Sequence, residues 1–95
     1  MSEPTSLEDV RRRIDGIDAR LTTLLAERQA LVRAAAAFKT DEQSVRAPGR
    51  VERVVTAARE RAEREGLSPE VAEAVWRAMI GAFVEYELNE HRRAG

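Results

Sequence analysis

Ninety-five residues allow one small domain, 1–95, and a chain this short buries only a modest share of its surface, so a second subunit is a structural option from the start. Charged residues make up 35% and hydrophobic ones 43%, and a net charge of −1 leaves no basic excess for non-specific nucleic-acid binding. The absence of cysteine excludes disulfides, thiolate catalysis and cysteine-based zinc sites, and a lone histidine, His91, excludes a histidine-rich metal site.

The N-terminal stretch MSEPTSLED has neither a basic n-region nor an apolar h-region, so it does not read as a signal peptide. No window reaches the roughly 18 apolar residues of a membrane span. A soluble, cytoplasmic protein without a membrane partner is expected.

The first element is a long helix. Thr5 and Glu8 have capping-box spacing, with Pro4 just ahead. Apolar residues then fall at Leu7, Val10, Ile14, Ile17, Leu21, Leu24, Leu31, Ala35 and Phe38, in steps that keep a heptad a/d register. Such a rod is roughly 48 Å long. The rest of one small chain cannot cover it, and a second copy is the simplest cover.

The polar segment Thr40–Arg50 holds Pro48 and Gly49 and reads as a loop. A second helix is expected from about Pro48 to Glu65, with Val51, Val54, Val55, Ala58 and Ala62 on one side and Gly66 as its stop. Ser68 as N-cap and Pro69 at the first helical position start a third helix, which extends to about Arg92. With no strand signal, the fold class is all-α, three helices per chain.

Two positions do not fit this pattern. Arg28 takes an a position between Leu24 and Leu31. It can be a polar residue that fixes pairing register, an arginine that snorkels to the surface, or a ligand-binding cation. A guanidinium in a dry seam cannot shed its charge, so an anion or water must meet it. The adjacent e positions hold Arg11, Asp18, Leu25, Val32 and Lys39.

Arg11 and Lys39 are roughly 42 Å apart along one helix and cannot share a site within one chain. Two antiparallel copies with their dyad near Leu25 would bring Arg11 of the partner subunit level with Lys39 and near Arg28. Arg50, at the start of the second helix, could fold over the same place. Such a gathering of cations, without a glycine-rich phosphate loop, suits a small dicarboxylate better than a nucleotide.

The second misfit is Glu87, which continues the face of Trp76, Ile80 and Phe83. It reads either as an exposed helix-end glutamate or as a carboxyl among apolar neighbours, protonated by desolvation and able to donate; nearby cations would oppose that protonation.

The segments VRRRIDGIDARLTTLLAERQALV, AAFK and IGAFVEYELNEH resemble the all-α chorismate mutases, a family that includes the related isochorismate-pyruvate lyases, over nearly the whole chain. The resemblance implies an intertwined helical homodimer with a site in each half. The partner subunit's Arg11 would hold one substrate carboxylate and Arg28 the other. Lys39 would meet the ether oxygen of the breaking bond, with Glu87 as second donor to it and Arg50 as a loop-side cation. The implied reaction is the Claisen rearrangement of chorismate to prephenate, which needs no cofactor or metal, only a preorganised conformer and charges.

Two departures qualify it. Val51 stands where typical mutases have a glutamate, and APGRV, like Phe38–Lys39, resembles the lyases, which form salicylate and pyruvate. Glu87 departs from the glutamine of the lyase pattern. An amino analogue of chorismate is a third substrate reading, and a non-catalytic helical dimerisation module the remaining one.

Overall fold

The computed structural model describes residues 2–94. They form three long helices and one short one: α1, Leu7–Ala36; α2, Glu42–Arg46; α3, Pro48–Glu65; and α4, Pro69–Ala94. Among the described residues there is no strand, and no helix is long and apolar enough to cross a membrane. The chain divides into two compact units, one ending at Leu31 and the other beginning at Val32.

The first unit is the N-terminal part of α1. Its cap is Ser6, not Thr5: the Asp9 N–H donates to Ser6 Oγ at 3.0 Å, and the Val10 N–H reaches the Ser6 carbonyl at 3.0 Å. The expected box is therefore displaced by one residue, because the Asp9 carboxylate turns back to accept the Thr5 N–H at 3.2 Å. Arg12 and Arg13 pair with the same carboxylate at 2.6 and 3.1 Å. The Thr5 N–H and then the two guanidiniums hold the Asp9 carboxyl below the usual carboxylate range, against the opposing effect of its burial. Leu7, Ile14, Ile17, Leu21, Leu24 and Leu31 are all exposed, Leu31 at 72%.

In the second unit the chain leaves the helical register earlier than its heptads suggest. α1 ends at Ala36, and the N–H groups of Ala37, Phe38 and Lys39 bond to carbonyls three residues back. Phe38, assigned to the seam, is 88% exposed, and Lys39, assigned to the e face, lies beyond the helix. The cause is local: Asp41 is extended and caps a new helix, its carboxylate accepting the Ser44 N–H at 2.8 Å and the Ser44 hydroxyl at 2.9 Å. The segment read as a loop is thus partly α2, fixed by the buried Val45.

Ala47 joins α2 to α3 in a left-handed conformation, φ 34° and ψ 64°, just before Pro48. An alanine with positive φ is disfavoured, and a residue before proline is normally extended. α3 and α4 then follow their expected boundaries, α4 running two residues further than Arg92. Val55, Ala58 and Ala62 form the buried stripe of α3, which packs on α4. Arg77 of α4 donates twice to Glu52 of α3 at 2.9 Å and once to Glu73 at 2.8 Å, while Arg59 reaches Glu73 at 2.8 Å. Ser68 Oγ accepts the Val71 N–H at 3.3 Å, as an N-cap should.

Gly66 ends α3 with φ 76°, and the Leu67 N–H bonds back to the Ala62 carbonyl at 2.9 Å. No atom lies within 4 Å of where a Cβ would stand, so the penalty for Gly66→Ala is conformational alone. The variant should lose about 1–2 kcal/mol in urea unfolding with an unchanged denaturant slope. A loss near zero would mean that the αL stop does not matter here.

Candidate active site

Of the five residues singled out by sequence, the fold brings Lys39 and Glu87 together. Lys39 follows the turn that closes α1, and Glu87 lies in the C-terminal part of α4. The Lys39 Nζ is 2.7 Å from Glu87 Oε2. Glu87 is only 5% exposed, beside the fully buried Leu88, so it is not a solvated helix-end glutamate. Its burial overturns the solvated reading of this residue, and the Lys39 ammonium stands against its carboxyl.

The contact is a charge pair rather than a well-directed hydrogen bond. Oε2 accepts no aligned donor among the described residues, even with the ammonium at 2.7 Å. A buried carboxylate is costly unless its charge and lone pairs are matched, and here only the charge is. The site therefore holds a cation and a carboxyl atom with unused hydrogen-bonding capacity. The ammonium can turn to a ligand atom that carries negative charge, whereas the carboxylate oxygen can accept from a ligand donor and can itself donate only once protonated.

Arg50 is exposed on the first turn of α3, and no hydrogen bond or ion pair ties it to Lys39 or Glu87 among the described residues. Arg11 and Arg28 lie on α1 in the first unit, Arg11 exposed and Arg28 half-buried. Among the described residues no group of histidine, cysteine, aspartate or glutamate side chains could hold a metal ion.

No sequence signal pointed to the ion pairs that flank Lys39 and Glu87. Arg33 lies 3.6 Å from Glu90, and Arg92 lies 3.0 Å from Glu42. The second pair links positions fifty residues apart, which no periodicity could have revealed.

A sequence model of the chorismate mutase type II family matches residues 10–88, a span that contains all five residues. The chain belongs to the chorismate mutase type II family. It is also 30% identical over 89 residues to the isochorismate pyruvate lyase of Pseudomonas aeruginosa, an alignment covering 94% of this chain and 88% of that one. The chorismate mutase type II family supplies an enzyme's small-molecule site, and the two names span an isomerase and a lyase.

Proposed function

We propose that this chain is a chorismate mutase, converting chorismate to prephenate by electrostatic preorganisation. The observation that carries the reading is the buried Glu87 facing Lys39 at 2.7 Å. In the proposed reaction the ether oxygen of the breaking C–O bond enters between these two groups. A carboxylate only accepts hydrogen bonds, so Glu87 must take up a proton to donate to that oxygen. The same proton releases the Lys39 ammonium from its ion pair, leaving it to face the negative charge that develops on the ether oxygen.

Arg28 holds one carboxylate of the substrate with its planar fork, and Arg50 contributes a further positive charge. A second copy of the chain covers the exposed apolar stripe of α1 and supplies the partner subunit's Arg11 to the other carboxylate. An apolar stripe of this extent is the kind of surface that soluble proteins normally cover with a partner. A cytoplasmic location belongs to the same reading.

A second reading, isochorismate-pyruvate lyase, is supported by the Pseudomonas aeruginosa relative and by Val51, which offers a substrate hydroxyl no hydrogen bond. An amino analogue of chorismate would suit Val51 in the same way.

The deciding assay follows the ultraviolet absorbance of chorismate from neutral to acid pH, with prephenate identified as product. Absence of turnover, together with salicylate formation from isochorismate, would replace the mutase by the lyase. Because one proton on Glu87 is required, mutase kcat/KM should be higher in acid than at neutral pH. Glu87→Gln, whose amide donates at any pH, should flatten the profile; an unchanged profile would remove Glu87 from the reaction.

A further inference from the structure

Lys39 does not stand on a long helix. It sits in the short connection between the end of α1 and α2, where its own N–H bonds to the Ala36 carbonyl at 3.3 Å; such local bonds shape the turn but do not tie it to α4. α2 is five residues long, below the length at which a helix holds itself in water. Its C-terminal link is Ala47, in a left-handed conformation that alanine disfavours and that the following Pro48 disfavours further. The turn and the short helix shape the path of residues 37–47, but they do not by themselves hold that segment, and with it the Lys39 ammonium, against α4.

What holds the segment is the C-terminal part of α4. Val45 is buried, and α2 packs against α4. Three ion pairs run alongside: Arg33–Glu90 at 3.6 Å, Lys39–Glu87 at 2.7 Å and Glu42–Arg92, where both Nε and Nη2 of Arg92 lie 3.0 Å from Glu42 Oε1. On the proposed mechanism the middle pair opens during the reaction. Of the two that remain, Glu42–Arg92 is shorter and attaches directly to α2, three residues after Lys39.

We propose that Glu42 and Arg92 are positioning residues, an ion-pair latch that keeps α2 on the end of α4 and so keeps Lys39 in place when its own pair with Glu87 opens. The inference rests on the active-site reading given above. Neither residue touches substrate. The pair is half-exposed, so its effect is a modest bias in the population of the docked segment. A ligand that binds only the docked form has its apparent Kd divided by the docked fraction, so its affinity falls as that fraction falls, while turnover at saturation is unchanged.

The test is a charge-reversal cycle with Glu42→Arg, Arg92→Glu and the double variant, after circular dichroism has shown each to be helical. Each single variant should raise KM by about threefold to fivefold, with kcat within about twofold of the parent, using whichever of chorismate and isochorismate the parent turns over. Amide hydrogen exchange at residues 42–46 should accelerate in the single variants. The double variant should restore both KM and exchange protection. Unchanged KM and exchange in the single variants would overturn the latch, as would a double variant no better than either single.

If the parent turns over neither substrate, the active-site reading fails, and the exchange measurements still decide whether the pair docks α2. A fall in kcat at constant KM would overturn the positioning role and place these residues in the chemical step.

Discussion

Lys39→Ala should lower kcat for chorismate by about 10²–10³-fold, the usual loss when one preorganised donor to a developing negative charge is removed. The substitution leaves Glu87 buried beside Leu88 with no cation against Oε2. Breaking a fully buried pair costs about 3–5 kcal/mol, and the 27% exposure of the Lys39 side chain reduces that here to about 1–3 kcal/mol. Activity and stability should therefore fall together in the single variant.

The double variant Lys39→Ala/Glu87→Gln separates them. A neutral amide does not need the ammonium, so much of the stability should return while turnover stays low. Measured by kcat and by urea unfolding, recovery of both would show that Lys39 serves only to neutralise Glu87. Unchanged kcat in Lys39→Ala would remove the lysine from the mechanism altogether.

Arg28→Leu should lower kcat/KM by a comparable factor, about 10²–10³, and should not lower the thermal midpoint. Leucine matches arginine in helix propensity and extends the apolar series Leu24 and Leu31. In the proposed dimer, replacing a charge and its interactions in the seam by an apolar residue is often neutral or stabilising. The loss of a two-pronged carboxylate contact should appear chiefly as a raised KM, with a part in kcat if the fork tightens in the transition state. Full activity in a more stable Arg28→Leu variant would make Arg28 a register device and the chain a dimerisation module.

Local signals carried much of the fold. Pro48, Gly66, Ser68 and Pro69 each act through their own backbone or their own side chain, so the boundaries of α3 and the start of α4 were legible in sequence. The end of α1 was not. The apolar series continues through Ala35 to Phe38, and only the Asp41–Ser44 cap, with α2 docked through Val45, shows why the chain stops following it. The displaced N-cap has the same origin, since either Thr5 or Ser6 suits the spacing and the reach of the Asp9 carboxylate decides between them.

The candidate site was legible in its residue types rather than in its geometry. Glu87 stood out as a carboxyl on an apolar face, but its burial depends on what packs around the end of α4. Lys39 was found at a place in the heptad that it does not occupy. Its pairing with Glu87 is set by a turn and a short helix whose sequence, TDEQSVR, looks like solvent-facing linker.

The contact between α3 and α4 combines mostly small side chains, Val55, Ala58 and Ala62 on α3, which offer little apolar area, with the chain of charges Arg59–Glu73–Arg77–Glu52. These two contributions respond differently to heat. Apolar burial gains little per unit area on warming, whereas the desolvation cost of charged groups falls as temperature rises. The hairpin should thus keep a larger share of its cohesion on warming than an all-aliphatic contact of the same size, and should give up more of it in concentrated salt.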